Sequence, residues 1–283
     1  MIRIGNIIIS NNTFPDGTPA FKQDDIKAAL SQFCDENGQI TNPAINIVWH
    51  YENMAELFSI RCLKRHFESI YKFKMSLCMA YIPNARMDRV HSLDYDVFTL
   101  KYFCEEINSL NFDSVVVLDP HSDVSSALIN NCIVIDAANF VTSAIDYIKE
   151  ETSDDLILVY PDATAAKRYA HKFENKYIQG IKQRSWEEGK INDLKLVGDL
   201  DCVKDKNVLI VDDICCRGGT FMKSAEQLKE LGAKDIYLYV SHCEHSMLDG
   251  DIPKTDLIKT VFTTNSIFNA ELDKVMIAGV WGV

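Results

Sequence analysis

The sequence predicts an α/β protein built from two similar domains, each a mainly parallel sheet flanked by helices. Three observations lead there. Short runs of valine, isoleucine and leucine alternate along the chain with stretches of helical spacing. Most of these runs end, on their carboxyl side, in acidic or other polar residues, the place where open parallel sheets bind ligands. The second half also repeats the plan of the first. INIVWHYENMAELFSIRCLKRHF parallels LILVYPDATAAKRYAHKF, and VVVLDPHSDVSSAL parallels VLIVDDICCRGGTF. A boundary near residues 136–150 divides the chain into a first domain over 1–140 and a second over 141–283, with no low-complexity linker between them.

The elements follow in order. Ile2–Ile9 reads as a strand, and Phe14-Pro-Asp-Gly-Thr18 as a turn, because proline presets one dihedral and glycine accepts positive φ. Asp24–Phe33 has the spacing of an amphipathic helix, Ala44–Trp49 that of a strand, and Met54–Phe67 is again helical. Met75–Ala80 and Ser114–Leu118 are strands on either side of a helix over Phe98–Leu110, and Ile133–Ile135 closes this half. In the second half Leu156–Val159 is a strand whose end, YPDATAAKR, opens a helix. Tyr177–Ile181 leads into KQRSWEEGKINDLK, a polar stretch expected to be a mobile loop. Val208–Val211 is a buried strand, followed by a turn and a helix with apolar residues at Phe221, Ala225, Leu228 and Leu231, stopped by Gly232. Ile236–Val240 and Leu257–Phe262 complete the pattern.

Composition narrows the function. With 283 residues and 47% hydrophobic content the chain buries a substantial core. Its net charge of −12 argues against nucleic acid and anionic membranes as partners, since both call for a basic surface. The opening MIRIGNIIIS is too short for a secretory signal, and no apolar run reaches the ~18 residues of a membrane helix. The nine cysteines are scattered and form no C-x-x-C pair, so reduced core thiols and a cytoplasmic location are expected.

The stretch Val208–Phe221 carries the chemistry. Asp212 and Asp213 stand at a strand's carboxyl end, where two adjacent carboxylates cost stability unless a cation or hydroxyls satisfy them. Gly218, Gly219 and Thr220 then open a helix, whose free amides favour an anion. Together these residues read as a sugar-phosphate site. The pair His242 and His245 in SHCEH has no partner cluster of matching spacing, so a metal reading there is not favoured.

That stretch resembles the phosphoribosyl-diphosphate loop of type I phosphoribosyltransferases and of ribose-phosphate diphosphokinases. Four further stretches, and a fifth position, resemble the second family alone. FPDGT, with Phe14 and Asp16, is similar to its F-x-D-G-E turn, which reaches ATP on a neighbouring subunit. ARMDR, with Arg86, Asp88 and Arg89, is similar to its ATP-holding A-R-Q-D-R. DPHS places His121 where the family has a histidine near the nucleotide phosphates and magnesium. YPDATAAKR places Asp162 where the family has a metal-holding aspartate, and KQR places Lys182 and Arg184 at its catalytic basic loop. The resemblance covers nearly the whole chain. It implies two phosphoribosyltransferase-like domains, Mg²⁺ held near His121 and Asp162, ATP and a ribose-phosphate acceptor as substrates, and a homo-oligomer of at least two subunits. It further implies that Asp212, Asp213, Cys216, Arg217, Gly218, Gly219, Thr220 and His242 hold the ribose phosphate, with Lys182, Arg184 and His121 catalytic. The implied reaction moves the β,γ-diphosphate of ATP to the anomeric hydroxyl of a ribose 5-phosphate moiety, releasing AMP.

Several positions depart from the family pattern. Its sugar-phosphate loop reads D-D-x-x-D-T-G-G-T, whereas here the third acid is Cys216 and the first threonine is Arg217. The loop thereby loses a negative charge and gains a guanidinium, which suits a more anionic acceptor, such as one carrying a diphosphate. ADP-ribose, with a free anomeric hydroxyl and a 5′-diphosphate, is therefore an alternative acceptor, one that would serve NAD salvage. Thr164 and Ala165 replace glycines of the diphosphate-binding turn, Met87 a glutamine and Thr18 a glutamate. Two further readings are an inactive regulatory relative and a phosphoribosyltransferase. Retention of Lys182, Arg184, His121, Asp162 and both loop acids speaks against the first, and the first-domain stretches against the second.

Overall fold

A computed structural model describes residues 1–90, 95–184 and 191–281. The chain divides into two compact units, Met1–Ile135 and Asp136–Val283.

The first unit contains β1 (Ile2–Ile4), β2 (Ile7–Ile9), β3 (Asn11–Thr13), β4 (Pro19–Phe21), α1 (Gln23–Ser31), β5 (Ala44–Trp49) and α2 (Ala55–Ile70). It continues with β6 (Lys74–Met79), α3 (Thr99–Ser109), β7 (Ser114–Leu118), α4 (Asp123–Leu128) and β8 (Cys132–Ile135). Its six-stranded sheet runs β2-β1-β5-β6-β7-β8, parallel from β5 to β8. The strand expected over Ile2–Ile9 is instead a hairpin. Gly5 takes φ +56°, which a side chain resists, and the chain folds back with Ile4 opposite Ile7. Ile45, Ile47, Met75, Leu77 and Val115 pack with Ile60, Leu63 and Phe67 of α2 and Leu100 and Phe103 of α3. The edge strand β8 leaves Ile133 and Val134 about half exposed, at 52% and 47%.

The second unit contains α5 (Ala138–Thr152), β9 (Leu156–Tyr160), α6 (Ala163–Tyr169), β10 (Tyr177–Arg184), β11 (Ile191–Val197) and β12 (Asn207–Cys215). After these come α7 (Gly219–Glu230), β13 (Ile236–Cys243), β14 (Thr260–Thr264) and β15 (Val275–Ala278). The seven-stranded sheet runs β11-β10-β9-β12-β13-β14-β15, with only β11 antiparallel to its neighbour. Both faces are covered, which is why its strands read as unbroken apolar runs rather than alternating ones. Val208, Ile210, Leu238 and Val240 face Phe221, Ala225 and Leu228 of α7. Leu209, Val211, Tyr237 and Tyr239 face the opposite side, with Val141, Ile145 and Ile148 of α5 and Tyr169 of α6.

Three features differ from the sequence reading. Lys182–Arg184, assigned to a loop, lie in β10, paired with β11 and interrupted by a register shift at Gln183/Arg184. The strand through Val208–Val211 continues to Cys215, with Ile214 opposite His242 and Cys215 opposite Cys243. The helix α5 and the edge strand β15 were not anticipated. Each sits where a few polar residues break up the apolar pattern.

Candidate active site

The carboxyl end of β12 places two acids on opposite faces of the sheet, since successive strand residues alternate. Asp213 falls on the face covered by α6, where Arg168 Nη1 donates to its Oδ2 at 3.0 Å. Both groups are largely buried, and Arg168 also lies over the Tyr169 ring, 5.1 Å from its centroid. Asp212 turns the other way, and its Oδ1 accepts from the Asp213 amide at 3.0 Å. Burial, and then the Asp213 and Asp162 carboxylates, push the Asp212 carboxyl well above the usual carboxylate range. Asp162 caps α6, its Oδ1 accepting from the Thr164 and Ala165 amides at 2.9 Å each. Three carboxylates thus gather at the ends of β9 and β12, with Arg168 on one of them.

Beyond β12 the chain passes Cys216 and Arg217 and enters α7 through Gly218, whose φ is +82°. A side chain at Gly218 is excluded twice, by this conformation and by Ile252, whose Cδ1 would lie 2.3 Å from a Cβ. The amides of Gly219, Thr220 and Phe221 begin the twelve-residue helix, and an added Cβ on Gly219 would meet open space. An anion at this turn meets helix-start amides and the positive end of the helix dipole. Arg217 is exposed. On the neighbouring strand His242 is buried, its Nδ1 2.9 Å from Ser266 Oγ. The Ser266 hydroxyl donates to the Ser241 carbonyl at 3.1 Å, so Nδ1 carries the proton toward Ser266.

The first unit brings a second group together at the ends of β6 and β7. Asp88 is buried and accepts from Arg89 Nε at 2.9 Å. Burial alone would raise its carboxyl, but the Arg89 bond, the Arg89 charge and nearby His121 outweigh it and hold it below the usual range. His121 is half-buried, while Arg86 and Arg89 are exposed. Asp119, between β7 and His121, is buried with φ +40°, a conformation aspartate tolerates better than most side chains. Phe14 and Asp16 lie elsewhere, at the exposed tip of the β3–β4 hairpin. There the Asp16 carboxylate accepts from the Thr18 amide at 2.9 Å, which lowers its pKa.

The backbones of Lys182 and Arg184 lie in β10, but their side chains are outside the described residues, as are residues 185–190. Among the described residues no group of three or more His, Cys, Asp or Glu is arranged to hold a metal unaided. No described helix is long and apolar enough to cross a membrane. The residue the sequence reading missed is Arg168. Its position in YPDATAAKR was the available signal, but its pairing with Asp213 depends on α6 packing against β12.

Residues 160–274 match the family model of the phosphoribosyl transferase domain. Among curated proteins the chain is 27% identical over 198 residues to ribose-phosphate pyrophosphokinase 4 of Saccharomyces cerevisiae, covering 69% of this chain and 59% of that one. It is 29% identical over 173 residues to the ribose-phosphate pyrophosphokinase of Thermococcus kodakarensis, covering 60% of this chain and 58% of that one. The aligned stretches thus span less than two thirds of these relatives. A solved structure, the phosphoribosylpyrophosphate synthetase from Mycobacterium smegmatis, shares the fold with a TM-score of 0.73 at 17% identity, over 97% of this chain and 87% of that one. The second unit thus carries a phosphoribosyl transferase domain, and the chain is similar to ribose-phosphate pyrophosphokinases over part of their length.

Proposed function

We propose that the protein is a Mg²⁺-dependent diphosphokinase that transfers the β,γ-diphosphate of ATP to the anomeric hydroxyl of a ribose 5-phosphate moiety. One observation carries this reading: β12 delivers Asp212 and Asp213 to the mouth of the Gly218–Thr220 helix start, hydroxyl-binding carboxylates next to a phosphate-binding turn. The names of the relatives support the same chemistry. In the step, the anomeric oxygen attacks the β-phosphorus, the bond from that phosphorus to the α–β bridging oxygen breaks, and AMP leaves. The hydroxyl proton goes to solvent or a nearby base.

The residues present fit a magnesium ion. Asp162 stands close enough to Asp212 to help raise its carboxyl, and Arg168 pairs with the adjacent Asp213. An ion held by so few carboxylates takes its other ligands from phosphates and water, as Mg²⁺ commonly does. When bound, it neutralises phosphate charge and lowers the cost of concentrating negative groups there. The chain's own residues do the rest. Asp212 and Asp213 accept from the ribose hydroxyls, the Gly219–Phe221 amides hold the 5′-phosphate, and His242 borders it. Arg86, Asp88, Arg89 and His121 hold the nucleotide, while Lys182 and Arg184 stabilise charge on the transferring group.

Arg217 favours a second acceptor. It is exposed beside the phosphate turn in a chain of net charge −12, which suits an acceptor with a 5′-diphosphate, such as ADP-ribose. Incubation with ATP, Mg²⁺ and either ribose 5-phosphate or ADP-ribose, followed by chromatography of AMP, separates the two. AMP formed with neither acceptor sinks both. Lys182→Ala should lower turnover ~10²–10³-fold while ATP still binds. The exposed hairpin at Phe14–Thr18 supports a reach toward a neighbouring subunit's nucleotide, and sedimentation as a monomer during turnover would contradict that.

A further inference from the structure

Behind the acceptor loop stands a segment that no part of the proposed reaction uses, Glu244–Ile252, which follows β13. It touches four successive loop residues. The Glu244 amide donates to the Cys215 carbonyl at 2.8 Å, tying the ends of β12 and β13 together. The Cys216 Sγ lies 3.3 Å from Ser246 Oγ, and that hydroxyl donates to Glu244 Oε2 at 3.1 Å. A hydroxyl has one proton, and here it is spent on the carboxylate, so the Cys216 thiol is the donor to Ser246. Gly250 presses on the loop backbone: a Cβ there would lie 2.1 Å from the Arg217 carbonyl oxygen. Ile252 fills the space over Gly218.

Cys216 is therefore connected to a carboxylate by two hydrogen bonds that run in one direction. We propose that Glu244, acting through Ser246 on Cys216, is a positioning residue for the acceptor loop and sets its affinity for the ribose-phosphate acceptor. The inference rests on the functional reading above for its ligand, but not for its geometry. It also revises the charge count of the loop. The sequence alone shows an acid lost at position 216, whereas the fold supplies a carboxylate to that position from the neighbouring strand end. Cations and phosphates at the turn then meet a polarised thiol with a fixed direction, not an isolated apolar one.

Two measurements test this. The first is amide hydrogen exchange over residues 215–221 in the full chain, without substrate. Ser246→Ala leaves the thiol without its acceptor and should speed exchange there about 3- to 10-fold, the usual worth of one such bond. Unchanged exchange overturns the proposal, whether or not the protein makes AMP. The second is kinetic. Glu244→Gln keeps the backbone bond and the side-chain shape and removes only the charge. It should raise the acceptor KM about 3- to 10-fold, with kcat and the ATP KM within about twofold. Adding Cys216→Asp to Glu244→Gln should bring the acceptor KM back toward wild type, whereas Cys216→Asp alone, with two carboxylates in line, should raise it. Failure of the double variant to recover, or an equal change in the ATP KM, overturns the role in acceptor affinity. A wild-type protein that makes no AMP with any acceptor defeats the functional reading instead, and leaves the exchange result to decide.

Discussion

After β7 and after β12 the chain makes the same move, an apolar strand, an acid and a helix, yet the two turns come out differently. In the first unit the strand stops at Leu118 and the acid itself, Asp119, takes the left-handed conformation at φ +40°. Proline follows, and the next helix has only six residues. In the second unit the strand runs past both acids to Cys215, and the left-handed position falls to Gly218 at φ +82°. The acids stay in extended backbone, and the helix that follows has twelve residues. Moving the sharp bend from the acid to a glycine frees two carboxylates to face opposite sides of the sheet, and opens a helix start to a ligand. The first turn presents a single half-buried histidine. One frame thus yields a glycine-led helix start beside two carboxylates in one unit and a histidine-bearing corner in the other.

The strongest way to break this comparison is to remove the guanidinium paired with the second turn. Arg168→Ala removes the guanidinium that donates to the buried Asp213 carboxylate and should cost about 3 kcal/mol of stability, read from urea unfolding. A loss below about 1 kcal/mol would mean that the acids are satisfied some other way. Next is the bend itself. Gly218→Ala forces a Cβ into a left-handed conformation and against Ile252, and should cost about 2 kcal/mol and abolish saturation by the acceptor.

The two units should also respond to pH with opposite sign, through Asp212 after β12 and Asp88 after β6. Asp212 has a raised carboxyl, so the folded state binds its proton more tightly than the unfolded chain does. Its contribution to stability is full below the ordinary value of 3.8 and is lost as pH rises through its folded value. Asp88 has a depressed carboxyl, so its contribution is present above 3.8 and is lost as pH falls through its folded value. Asp212→Asn should flatten the alkaline-side decline in urea midpoint, and Asp88→Asn the acid-side decline. Matching slopes in the two variants would refute the contrast. The smallest effect is expected at the hairpin tip, where Asp16→Asn should leave the melting temperature within experimental error, because the side chain is exposed and its bonds are local, to Thr18.

Much of the fold was legible because parallel strands covered on both faces read as apolar runs. Ala44–Trp49 and Ser114–Leu118 coincide with β5 and β7. Boundaries failed where backbone geometry, not hydrophobicity, decides. Gly5 sits inside an isoleucine-rich run that alternation alone extends through it. Asp212 and Asp213 look like the end of a strand, yet ladder bonds to β13 carry it on to Cys215. Lys182 and Arg184 look like loop residues because polar side chains on an antiparallel strand near a sheet edge leave no apolar signature. The positions that form the two chemical groups could be read from local pattern. Their pairings could not, since Arg168 with Asp213 and Ser246 with Cys216 join residues 45 and 30 positions apart. A buried carboxylate in the first unit shows the same limit. Glu56, buried in the first turn of α2, accepts from the Trp49 indole at 2.8 Å and from the amino group of Met1 at 2.9 Å, a structural use that its sequence neighbourhood does not announce.

The outermost strands have a consequence for how the protein behaves as a colloid. β8 and β15 each end a sheet and leave neighbouring aliphatic side chains in water, Ile133 with Val134 and Met276 with Ile277. Such strands template pairing between molecules unless something holds the molecules apart. At neutral pH the net charge of −12 provides that repulsion. Near the isoelectric point of about 5.0 the repulsion vanishes while the sticky edges remain. Turbidity should therefore rise steeply as pH approaches that value, and a lysine at Val134 or Ile277 should delay it.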